Sequence, residues 1–380
     1  MPYSHPKYRE NRAINGGSIY QMEFNPREKR MLNALERKES AAHFYFSAGP
    51  WGMFAPLLGI PYPHLTLQRL QLLHKNGVRR LAHFGGSVPP ELVPYNINHE
   101  VMARFQLDPE ADPETIVPET ALQWTDEKGS LNLTEAWKLV ERAILAFPII
   151  TPLYSTMGFT WYRLWARPLV PDIEKIPERE RAYYEDFMCT TPHNPNNVDL
   201  SRDVLFQLTT PAKAAIDVKR MDKSVWNPLD KAIRILQEAR ADQPESEEIF
   251  SDQEIRLRAL YCWLKTQRNV AAWIGGVHGF MKARQERSRS QFRNMVRGAI
   301  ADEMENSQSL IDLLNTGIPF MAMSACGETP LMYGDNLRES LHRRIRLMKR
   351  HMEDVPRIDP DYMFRKAAQS VQSGDGRKTR

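Results

Sequence analysis

Within residues 79–100, RRLAHFGGSVPPELVPYNINHE, stand His83, Tyr95, Asn96, Asn98 and Glu100, side chains whose types and spacing could do chemistry. Cleaving a glycosidic bond takes two carboxyl groups flanking it, and Glu100 is the best-placed single acid. Asn amides both donate and accept hydrogen bonds, which suits sugar hydroxyls. The plainer reading is that Asn96, Asn98 and Glu100 cap the helix that follows them. His83, ending an apolar run, reads as a base or as a hydrogen-bonded structural group. A second polar cluster, His193, Asn194, Asn196, Asn197 and Asp199, lies in CTTPHNPNNVDLSRD; it too could bind hydroxyls or simply serve its own turns.

Aromatic residues extend the same theme. Trp51, Trp161, Tyr162 and Trp165 stand in or beside loops, off the helical period. Flat rings stack on the apolar faces of sugars, or they plug a core. Arg163 and Arg167 stand beside the aromatic loop. Trp137, Trp263 and Trp273 sit in helical patterns and read as core. Asp359 and Asp361 in RIDPDY read as a helix start.

HFYFSAG (43–49) and RRLAHF (79–84) read as short apolar strands. Between them LTLQRLQLLHKNG reads as a helix with Leu65, Leu70 and Leu73 on one face and Asn76-Gly77 as its stop. Strand, loop, helix, strand, loop, helix is the order of a parallel β/α unit. The loops after such strands carry function, and here they hold Trp51, His83, Asn96, Asn98 and Glu100. The spacing predicts a partial β/α section over 41–107, after an N-terminal extension (1–40) in which Asn25 caps a helix beginning at Pro26.

From 108 to 366 the pattern is mainly helical. Asp112-Pro113 starts one helix, with Pro118 inside it. Leu133, Trp137, Val140, Ile144 and Phe147 give another its apolar face. Further helices are expected at about 210–239, at 251–274 ending on Gly275-Gly276, at 280–315 and at 336–354. FPIITPLYSTMGFTWYRLWARPLVPD reads as a packed irregular loop, and the tail 367–380 as disordered. The fold class is thus mainly α with a short β/α section.

Composition narrows the function. A net charge of +4 over 380 residues demands neither nucleic acid nor a membrane surface. Two basic stretches, 282–297 and 338–350, each carry an apolar face, so their arginines read as a solvated side. Cys189, Cys262 and Cys326 have no metal-ligand spacing and suggest a reduced interior. No phosphate loop, HExxH or GxSxG motif is present, so neither cofactor nor metal is expected. The polar start, MPYSHPKYRENRAINGG, lacks an apolar signal core, and a cytoplasmic location is expected.

The stretch LLGIPYPHLTLQRLQLLHKNGVRRLAHFGG, followed by YNINHEVMARFQLDPEADPETIVPETALQW, resembles the final β/α unit of bacterial (β/α)8-barrel glycoside hydrolases, α-glucuronidase-like and related glycosidase-like proteins above all. The likeness rests on the PYPHLTLQRL phrase, the Gly77-Val78 strand start and the RFQLDP run from Arg104 to Pro109. It covers about a quarter of the chain. It implies the end of a TIM-type barrel followed by a helical domain, and an oligosaccharide or polysaccharide ligand. On that resemblance the ligand could bear uronic acid, whose carboxylate Arg163 and Arg167 could pair with. Such families build acid and base on middle strands, which this chain does not supply. The resemblance therefore carries over no catalytic residue, and only His83, Asn96, Asn98 and Glu100 as cleft-lining positions. The alternative is a non-catalytic helical interaction protein. Self-association is open under either reading.

Overall fold

The computed structural model describes residues 3–4, 7–8, 12–13, 23–38, 40, 42–46, 57–83, 90–148, 165, 168–180, 211–321 and 336–357. Among them the chain is mainly helical. Two short strands, β1 (Tyr3–Ser4) and β2 (Arg12–Ala13), pair antiparallel. Helix α1 (Pro26–Arg37) starts as its sequence dictates. Asn25 accepts from the Arg27 and Glu28 amides, while Glu28 reaches back to the Asn25 amide at 2.9 Å.

The β/α section forms. β3 (His43–Phe46) and β4 (Arg80–His83) lie parallel, His43 opposite Arg80 and Phe46 opposite His83. α2 (Pro63–Lys75) connects them and buries Leu65, Leu70 and Leu73. It stops where Gly77 turns at φ 79°, a conformation that favours glycine. After β4 come α3 (Ile97–Leu107), α4 (Pro113–Ala121), capped by Asp112 and running through Pro118, and α5 (Glu127–Ala146). The expected face of α5 is buried throughout: Leu133, Trp137, Val140, Ile144 and Phe147.

The remaining helices are α6 (Pro211–Ser224), α7 (Trp226–Asp242), α8 (Glu247–Lys282), α9 (Glu286–Leu314) and α10 (Leu337–His351). Two expectations need correction. The single helix expected over 210–239 is two. Pro228 has no N–H to return to Ser224, so the chain breaks at Val225 and restarts at Trp226. The helix expected to break at Gly275-Gly276 instead runs on to Lys282. Its glycines serve a close approach rather than a turn. A Cβ on Gly276 would lie 2.7 Å from Val296 Cγ2, and one on Gly279 would lie 2.3 Å from the Phe292 ring of α9.

The chain divides into two compact units. One comprises residues 1–156, 220–263 and 313–327; the other comprises 157–219, 264–312 and 328–380. In the first, the core gathers α5, α7 and the start of α8, with Trp137, Trp263 and Phe250 fully enclosed. In the second, a polar cluster is buried among helices. The fully buried Glu303 faces Arg344 at 2.7 Å, and accepts from Thr266 at 2.7 Å and Asn269 at 2.8 Å. Thr266 in turn accepts from Trp165 Nε1 at 3.1 Å and Asn306 at 2.9 Å. Trp165 is thus a core residue. Arg344 also corrects the view of the 338–350 arginines as a solvated side, since this one lies inside with its ion-pair partner. No helix among the described residues is long and apolar enough to cross a membrane.

These contacts separate two glycine substitutions in α9 and its neighbour. Gly279→Ala should cost about 1–3 kcal/mol through overpacking against Phe292. Gly298→Ala, whose Cβ would meet nothing within 4 Å, should stabilise by about 0.5–1 kcal/mol through helix propensity. Urea denaturation of the two variants beside the parent reads the difference.

Candidate functional site

The C-terminal ends of the parallel strands are the positions from which β/α units present their loops, and here they are Phe46 and His83. Both loops return to the body of the first unit at one residue of α8. Arg256 is fully buried. Its Nη1 donates to the Leu58 carbonyl and its Nη2 to the Leu92 carbonyl, each at 2.9 Å. Asp252, one turn earlier on α8, accepts from Nε at 2.8 Å and from Nη2 at 2.7 Å. A bidentate carboxylate thus neutralises the guanidinium while its outer N–H groups hold two backbone segments.

The backbone accommodates this clamp at Gly59. Its φ is 69°, and a Cβ there would lie 2.7 Å from Val93 Cγ1 and 2.9 Å from Arg256 Nη1. Leu58 is further tied by its amide to the Phe320 carbonyl at 2.9 Å. Asn98, buried at the start of α3, completes the anchoring. Its Oδ1 accepts from the Tyr62 amide at 2.9 Å and its Nδ2 donates to the Ile60 carbonyl at 2.7 Å. The pair Glu141 and His64 does the same for α2. Glu141 Oε1 accepts from the His64 and Leu65 amides, and its Oε2 lies 3.0 Å from the His64 ring nitrogen Nδ1. A buried carboxylate thereby meets the unpaired N–H groups and the positive dipole end of that helix.

One partly exposed cluster lies beside this scaffold. Tyr95 and Trp124 stack edge to face, their ring centroids 5.7 Å apart at 80°. The Tyr95 phenol lies near Glu248, and its pKa is pushed up to about 12 by burial first and then by the Glu248 and Asp252 carboxylates. Its proton therefore stays on throughout the neutral range. Gln253 Nε2 donates to the Tyr95 carbonyl at 3.5 Å, and Gln253 Oε1 accepts from Trp137 Nε1 at 3.0 Å. Two aromatic rings with a carboxylate at their edge can stack on a sugar face and accept from its hydroxyls.

The sequence candidates fare unevenly. Asn96 caps α3, accepting from the His99 amide, and Asn98 spends its amide on backbone. Glu100 is half-buried in the first turn of α3. Of His83 the backbone is described, closing β4. Trp51, Trp161, Arg167, His193 and Asn194 lie outside the described residues. Trp124 and Glu248 were not singled out by the sequence. Trp124 ends a stretch that reads as helix, and Glu248 sits in the acidic run ADQPESEE; neither position signals a loop site. Among the described residues no group of three or more His, Cys, Asp or Glu is arranged to hold a metal ion.

If the Arg256 clamp positions both loops, Arg256→Ala strands Asp252 and two carbonyls. A loss of about 3–5 kcal/mol is expected in chemical denaturation. Replacing both partners with apolar residues of similar volume, R256M with D252L, should cost clearly less. Equal losses would mean that packing rather than charge pairing carries the position.

No family model, no curated protein and no solved structure matches this chain.

Proposed function

We propose that the chain is a carbohydrate-active protein, a fragment or relative of a glycoside hydrolase that acts on an oligosaccharide or polysaccharide. The observation that carries this reading is the order of elements: β3, α2 and β4 in parallel, then α3 bearing the RFQLDP run, then a helical region. That order fits the last β/α unit of a (β/α)8 barrel running into a C-terminal helical domain. In such a unit the ligand meets the strand ends, and His83 closes β4. Tyr95, Trp124 and Glu248 offer two rings and an acceptor to a sugar. Hydrolysis itself needs a pair of flanking carboxyl groups, and none of the acids discussed is assigned that role.

One observation favours a second reading, a non-catalytic helical interaction or scaffold protein. Both ends of the Asn98 amide, and the side-chain oxygen of Asn96, are engaged by backbone groups, as in a β/α section with a purely structural task.

Thermal unfolding with neutral and uronate-bearing oligosaccharides separates the two. A ligand that binds only the native state stabilises it by about 2.7 kcal/mol at a hundredfold excess over Kd. A saccharide-dependent rise in Tm is expected, reduced in Trp51→Ala and Tyr95→Ala, and reduced for uronate-bearing ligands in Arg167→Ala. No rise with any saccharide would favour the scaffold reading. A rise untouched by Trp161→Ala or Arg167→Ala would remove their loop from the site.

A further inference from the structure

The second unit contains a groove that the carbohydrate reading does not use. It has a volume of about 570 Å³ and runs between residues 212–219 of α6, 268–282 of α8 and 292–302 of α9. That volume falls within the roughly 300–1,000 Å³ typical of small-molecule sites. Small residues line it: Ala215 of α6, Ala271 and Gly275 of α8, Gly298 and Ala299 of α9. Where α8 and α9 touch, Gly276 and Gly279 let Val296 and Phe292 close the contact. Beside that contact, Gly298 leaves its Cβ direction open. Phe292 and Met295 add an apolar wall, with Met295 47% exposed.

The charges at the groove are not balanced. Lys219 from α6 and Lys282 from α8 both line it. The acid among its lining residues, Asp302, is already engaged by Arg268 at 3.2 Å and Lys265 at 3.7 Å. His278 also lines the groove, its pKa lowered by burial first and then by Lys282. It contributes no full charge at neutral pH. An apolar trough with ammonium groups at its edge matches a ligand with an apolar chain and an anionic head.

We propose that this groove binds a single-chain anionic amphiphile, its tail along Ala215, Gly275 and Gly298 and its head at Lys219 and Lys282. The proposal stands on the second unit alone, independent of the carbohydrate reading.

Isothermal titration calorimetry of the full chain with dodecanoate, below its micelle concentration, tests it. Saturable binding is expected, with dodecylammonium at least tenfold weaker. Octanoate, four methylenes shorter, should bind roughly 200-fold more weakly. Gly298→Leu fills the trough from a helix position open to a side chain and should lower affinity at least tenfold. Ala215→Leu enters the trough from α6 and serves the same purpose if the first variant folds poorly. Lys219→Glu with Lys282→Glu should reverse the preference between dodecanoate and dodecylammonium. The absence of dodecanoate binding, equal binding of the cationic amphiphile, or binding unchanged in both trough-filling variants would overturn the proposal.

Discussion

A guanidinium buried without solvent is tolerated only when its N–H groups are met and its charge is answered, because its desolvation costs several kcal/mol. Arg256 meets that demand by taking Asp252 on its own helix and the carbonyls of Leu58 and Leu92 from two separate loops. The satisfaction of one side chain thereby fixes where the chain returns after each parallel strand. Gly59 supplies the backbone shape that this return requires. Asn98 then binds Tyr62 and Ile60, so the start of α3 and the approach to α2 are locked to one another. Two strands are too few to stand as an independent sheet. The bonds from α3, α5 and α8 give this pair and its connecting helix a rigid setting.

The second unit applies the same rule to a different end. Glu303 and Arg344 form a buried ion pair, with Thr266 and Asn269 donating to the carboxylate and Arg344 donating to the Ser307 hydroxyl. Trp165 joins through Thr266, and Trp273 donates to the Val170 carbonyl at 3.0 Å. Close packing of α8 on α9 relies on glycine rather than on large apolar side chains. The same scarcity of side-chain volume, one step around the helices, leaves the groove.

Local signals in the sequence were legible where local physics decides. The Asn25 cap, the Asp112-Pro113 start, the apolar face of α5 and the Gly77 stop all follow from neighbours within a turn or two. The parallel pairing of 43–46 with 80–83 was legible from the strand–helix–strand order. The failures are tertiary. Gly275-Gly276 carries the propensity of a break, yet α8 continues because Val296 and Phe292 need the space beside Gly276 and Gly279. Arg344 belongs to a basic run, yet its partner Glu303 is on another helix. Of the candidate site, the strand-end positions were legible; the Tyr95, Trp124 and Glu248 cluster was not, since its members come from three separate segments. Asn98 shows the converse, a side chain of suitable chemistry whose hydrogen bonds turn inward.

Whether a saccharide meets this chain at the β/α section can be read by hydrogen–deuterium exchange, with and without a uronate-bearing oligosaccharide. Binding at the strand ends predicts slowed exchange in 43–46, 80–83 and 95–100, with α8 and α9 unchanged beyond residue 264. Exchange that is unaltered everywhere, or slowed only within 264–314, would contradict a carbohydrate site on the β/α section.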